Sequence, residues 1–200
     1  MKCIVLVKGA TMSRSKSNYT RQLIDDYCVV DTETTGKSAK FDSVIEIALL
    51  RVRNNQIVDQ YTQLVFPENQ ISSPDNDNLL DPFITQLTGI TNDMIRNAPR
   101  INEIQDQALS FIGDDVLLGH NTSFDIRFLN AGFKRIIENK YMDTLHLSRK
   151  VYPDFISHKL PFLTDQLGLS KSEHRALADC VATKELYDNL KNWLKAKIYC

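Results

Sequence analysis

The sequence predicts a mixed α/β sheet covered by helices, and three observations lead there. Two β-rich runs, 44–53 and 57–65, flank an Asn-Asn pair, the signature of an antiparallel hairpin. Past Ile84 the apolar spacing becomes helical, with short β-rich pieces at 116–118 and 141–145 set between helices. The chain has 200 residues, 42% hydrophobic and 24% charged, which suits one domain with a full-sized core.

Taken in order, residues 1 to about 25 are polar and mildly basic around Ser13-Arg14-Ser15-Lys16-Ser17-Asn18. They read as an N-terminal extension with no assigned role, ahead of a domain spanning 26–200. Asp26-Tyr27-Cys28-Val29-Val30 is a first strand running into a polar cluster at Asp31. The second and third strands follow as the hairpin, and 66–82, rich in Pro, Ser, Asn and Asp, is a loop. Short helices extend to Ile112, a helix covers about Thr122 to Ile137, and a long one covers about Arg175 to Lys197. No internal repeat, coiled coil or low-complexity tract interrupts this order.

Composition narrows the function classes. A formal charge of −1 excludes a strong, purely electrostatic hold on long nucleic acid, so a nucleic-acid enzyme of this charge would grip a short stretch or rely on a partner. The four cysteines, Cys3, Cys28, Cys180 and Cys200, have neither zinc-site nor disulfide-framework spacing and are expected as free thiols. The apolar run Ile4-Val5-Leu6-Val7 is too short for a signal peptide or a membrane span, so a soluble, cytoplasmic protein is expected. Asp75-Asn76-Asp77 opens like an EF-hand loop, but Leu79 and Leu80 stand where a ligand and the turn glycine belong.

The informative residues are carboxylates in apolar company. On a strand Tyr27, Val29, Asp31 and Glu33 share a face. Asp125 shares a helical face with Phe128, Leu129 and Ile136, and Asp179 heads the apolar row Ala182, Leu186, Leu190 and Trp193. A single acid in a helix's first turns is explained by the helix dipole, worth about 0.3–1 kcal/mol. Three separate elements each placing acids at the edge of an apolar face call for a shared partner, because burying unpaired carboxylates is costly. A set of oxygen ligands suits Mg²⁺ or Mn²⁺ rather than zinc.

Three motifs carry a resemblance: Val30-Asp31-Thr32-Glu33-Thr34-Thr35-Gly36, Gly119-His120-Asn121-Thr122-Ser123-Phe124-Asp125 and His174-Arg175-Ala176-Leu177-Ala178-Asp179. In this order the sequence resembles the DEDDh, or DnaQ-like, 3′→5′ exonucleases, which include proofreading subunits of bacterial DNA polymerase III. Ile45-Glu46-Ile47, Leu87-Thr88-Gly89-Ile90-Thr91 and Asp143-Thr144-Leu145 match as well, and the likeness runs over roughly 26–195. It implies a ribonuclease H-like fold with a mixed five-stranded sheet flanked by helices. It also implies two Mg²⁺ or Mn²⁺ ions held by Asp31, Glu33, Asp125 and Asp179. His174, five residues before the last aspartate, places the chain in the histidine branch and is the expected general base.

Five residues rotate a helical side chain about 140°, so His174 is expected on a loop ahead of the last helix. By the same resemblance Thr34, Thr88, Gly89, Ile90, His120, Asn121 and Phe124 line the pocket for the 3′-terminal nucleotide, although Phe124 is equally well explained as core beside Phe128. The expected substrate is a single-stranded 3′ end of DNA, and a DNA polymerase subunit is an expected partner. RNA 3′-end trimming is the alternative within the family. A catalytically silent nucleic-acid- or polymerase-binding module is the alternative from another class.

Overall fold

β1 (Tyr27–Thr34) is the middle strand, and its alternation sets the two faces of the sheet. The computed structural model describes residues 18–68 and 79–198. Cys28 and Val30 point into one apolar layer, Tyr27 and Val29 into the other. β2 (Val44–Arg53) pairs antiparallel with β1 and with β3 (Gln56–Leu64). The turn between β2 and β3 has positive φ at both Asn54 (49°) and Asn55 (63°), the twist a two-residue hairpin needs and one that asparagine accepts readily.

Three short helices follow: α1 (Pro82–Thr88), α2 (Asn92–Ile95) and α3 (Ile101–Ile112). Pro82 opens α1 rather than closing the loop before it; Asp81 caps the helix by accepting from Phe83 N. β4 (Leu117–Gly119) and β5 (Tyr141–Asp143) add to β1 in parallel, on either side of α4 (Thr122–Phe133). The sheet order is β3-β2-β1-β4-β5, five strands with one antiparallel flank. α5 (Thr144–Val151), α6 (Leu160–Leu167) and α7 (Ala176–Ile198) complete the chain.

Helices cover both faces. α3 and α4 bring Ile104, Ala108, Ile112, Phe128 and Leu129 onto the Cys28/Val30 side. α7 brings Ala176, Cys180 and Tyr187 onto the Tyr27/Val29 side, and its row Ala182, Leu186, Leu190 and Trp193 packs with α5 and α6 residues. The expected extension of the α4 helix to Ile137 is corrected. Lys134 turns to φ 48° and ends the helix at Phe133, leaving Ile136 exposed and off the Asp125 face.

Residues 18–25, which sequence composition groups with the N-terminal extension, lie along the domain. Asn18 O and Thr20 N bond to Tyr141 N and O at the outer edge of β5. Tyr187 Oη donates to Ile24 O and accepts from Ile24 N, while the buried Lys191 ammonium donates to Ile24 O, Asp25 Oδ1 and Asn55 Oδ1. Cys28 and Cys180 are free thiols, both pushed up by burial, Cys28 to about 12. Cys3, Cys200 and the Asp75-Asn76-Asp77 triplet lie outside the described residues. Among the described residues no helix is long and apolar enough to cross a membrane.

Candidate active site

The acids converge where β1 leaves the sheet. A β-bulge between Glu33 and Thr34 breaks the ladder with β2, the kind of irregularity that re-aims side chains at a sheet's rim. Glu33, His174 and Asp179 each offer a ligand atom, all within 4.8 Å of one another. Asp31 and Asp125 stand outside that tight group but within the same field. Asp31 is held well above the usual carboxylate range by burial first, then by the charges of Asp125, Asp179, Glu33 and Glu46.

Each acid is held by its own device. Asp125 enters from α4, where both the N–H (3.0 Å) and Oγ1 (2.8 Å) of Thr32 donate to its Oδ1. Burial nevertheless dominates those bonds and lifts Asp125 to about 7. Glu33 is pushed up to about 8, by burial and then by the charges of Asp179, Glu46 and Asp125. Asp179, raised by burial, accepts from Glu173 N at 3.0 Å. A cluster whose carboxyls all resist ionisation is one whose charge lacks a counterweight, and a hard divalent cation with oxygen ligands supplies it. The donor set therefore fits such a cation.

His174 lies two residues ahead of α7, as the helical-rotation argument requires, with φ 53°. A non-glycine residue there costs about 1–2 kcal/mol, so its surroundings must hold it. Glu46 on β2 lies inside the Ile45-Glu46-Ile47 match, but the motif reading gave it no role. Its carboxylate accepts from Arg175 Nη2 (2.7 Å), Arg175 Nε (3.1 Å) and Ala176 N (2.9 Å). A buried glutamate inside a strand that otherwise reads as an apolar run was the available signal.

Beside the acids lies a cleft of about 790 Å³, lined by Thr32, Glu33, Thr34, Phe83, Asn121 and Phe124 among others. Thr34, Asn121 and Phe124 thus stand where the substrate contacts were expected. Phe83, Lys37 and Arg127, which no motif contained, join the same wall together with Leu87, the first residue of the Leu87–Thr91 match. Thr88, Gly89 and Ile90 instead form the closing turn of α1. Thr88 Oγ1 donates to Ile84 O, Gly89 caps the helix at φ 71°, and Ile90 is fully buried. His120 is set behind the cleft, with ring nitrogens 2.9 Å from Thr144 Oγ1 and 2.8 Å from the His158 carbonyl; burial lowers its pKa.

Comparison with known proteins places this arrangement. The exonuclease family profile matches residues 28–187, and the chain belongs to that family. The DNA polymerase III PolC-type of Latilactobacillus sakei is 40% identical over 171 residues, 83% of this chain and 11% of that protein. The Bacillus subtilis PolC-type polymerase is 36% identical over 177 residues, 84% of this chain and 12% of its own length. The chain thus spans about a tenth of the length of these curated relatives. Among solved structures, exonuclease X in complex with 5′ overhanging duplex DNA superposes with TM-score 0.65 at 26% identity, covering 82% of this chain and 90% of that one. The nuclease domain of 3′hExo, a DEDDh family member bound to rAMP, shares the fold at TM-score 0.67 and 19% identity, over 84% of this chain and 92% of that one.

Proposed function

We propose that this chain is a divalent-metal-dependent 3′→5′ exonuclease that removes nucleotides from the 3′ end of single-stranded DNA. The observation that carries the reading is the grouping of Glu33, Asp179 and His174 within 4.8 Å, beside Asp31 and Asp125, at the mouth of an open cleft. Asp31, Glu33, Asp125 and Asp179 would hold two Mg²⁺ or Mn²⁺ ions, which would supply Lewis acidity for the displacement at phosphorus. His174 accepts the proton of the attacking water at a ring nitrogen. The water oxygen bonds to phosphorus, and the bond to the 3′ oxygen of the penultimate nucleotide breaks. That oxygen takes a proton from solvent as it leaves, a nucleoside 5′-monophosphate is released, and His174 returns its proton to solvent.

Phe124, Phe83 and Leu87 give the terminal nucleotide an apolar wall, and Lys37 and Arg127 place positive charge in the same cleft. Stacking on such a wall is tolerant of sequence, so little base preference is expected. The DNA reading and a role beside a polymerase in the cytoplasm draw support from the PolC-type relatives. The test is degradation of 3′-labelled single-stranded DNA, a mispaired primer end and short RNA, with Mg²⁺, Mn²⁺ or chelator, repeated with Asp31→Ala. Metal-dependent loss of 3′ label from DNA, abolished by Asp31→Ala, is expected. A marked preference for RNA would move the assignment to 3′-end trimming, and inactivity under every metal would revive the silent binding module.

A further inference from the structure

We infer that Glu46 and Arg175 are positioning residues that set His174 for proton transfer, a proposal that rests on the exonuclease reading above. Glu46 is buried, and β1–β2 pairing puts it directly opposite Glu33. Both of its oxygens are engaged, Oε1 by Arg175 Nη2 and Oε2 by Arg175 Nε and Ala176 N. Three donors hold it, and it stands outside the Glu33–His174–Asp179 group of candidate ligand atoms. The two-pronged geometry is one that arginine supplies and lysine does not.

The consequence falls on the residue between the tethers. Glu173 N is fixed to Asp179 Oδ1, while Arg175 and Ala176 are fixed to Glu46. His174 spans these anchors at φ 53°, a conformation an untethered loop would relax. Relaxation would swing the imidazole away from Glu33 and Asp179. A displacement of about 1 Å at a reacting group costs up to about 10²-fold in rate. The strand that carries Glu33's partner thus also sets the position of the base.

The test is a double-mutant cycle on the full chain with 3′-labelled single-stranded DNA at saturating Mn²⁺. At saturating Mn²⁺, Arg175→Met is expected to lower kcat about 10–100-fold with KM for DNA unchanged. In a His174→Ala background the same substitution is expected to cost less than about 2-fold, because the group it positions is gone. In the metal-free protein the His174 ring resonance, identified by its loss in His174→Ala, is expected to shift and broaden in Arg175→Met. Glu46→Gln, which keeps the volume and an acceptor for Ala176 N, takes the place of Arg175→Met should that variant fail to fold. An equal fold-loss in both backgrounds or an unmoved ring resonance would overturn the proposal. Near-normal turnover in His174→Ala would sink the base assignment itself, and a wild-type chain without metal-dependent activity would sink the exonuclease reading along with the clamp.

Discussion

At the scale of single residues the site is a balance between charge and desolvation. Burial lifts Asp31, Glu33, Asp125 and Asp179 together, so no one of them can be read alone. In the proposed mechanism His174 is the exception in kind, the one of the five assigned proton transfer. His174→Ala should preserve folding and Mn²⁺ binding while turnover falls about 10²–10⁴-fold, checked by thermal unfolding, metal titration and rate on one preparation. The five were legible in sequence because each breaks a local rule by putting an acid on an apolar face, or keeps register with one that does. The role of Glu46 was not, although the residue sits in a matching motif, because its reason for being buried is Arg175, 129 positions away. The pocket residues Phe83 and Arg127 escaped for a similar reason: a cleft wall is assembled by tertiary packing and leaves no periodic trace.

At the scale of elements, the β-rich run 44–53 placed β2 at its observed bounds and the turn pair Asn54-Asn55 fixed the hairpin. Boundaries were less readable where an unusual backbone conformation decides them, as at Lys134, whose left-handed turn stops α4 despite the apolar Ile136-Ile137 beyond it. The start of α4 shows the same device in a useful place. Asn121 has φ 71° and donates its N–H to Asp143 Oδ1 at 3.0 Å, which aims the first turn of α4 and hence Asp125. Asn121→Gly should leave stability near that of the parent. Asn121→Ala should be less stable than Asn121→Gly by about 1–2 kcal/mol, measured by chemical denaturation, because alanine keeps a Cβ in a left-handed conformation and glycine does not. Equal stability of the two would remove backbone strain from the account.

For the whole molecule, the acid cluster makes stability depend on pH and metal. With Glu33 near 8 and Asp125 near 7 in the folded chain, both lie above their unfolded values. Stability is then full below the ordinary carboxylate range and is lost as pH rises towards those folded values. In chelator, the melting temperature should therefore fall between pH 5 and 8. The rise produced by saturating Mg²⁺ should grow over the same interval, since the ion replaces the protons. A Mg²⁺ increment that stays flat with pH would contradict this. The edge segment 18–25 belongs to this scale too. A chain starting at Asp26 should be less stable than one starting at Asn18 by about 2 kcal/mol, a Tm difference of about 4–8 °C, because it forfeits the Tyr141, Tyr187 and Lys191 bonds.

Lys191 has one more consequence, which concerns the order in which the chain is made. Its ammonium joins α7 to Ile24 across 167 positions and to Asn55 across 136. The same helix supplies Ala176, Cys180 and Tyr187 to cover the Tyr27/Val29 side of the sheet. A ribosome emitting this polypeptide releases β1 and β2 long before the helix that shields them. During that interval their apolar face is bare, the kind of transient exposure that makes partly made chains prone to aggregate.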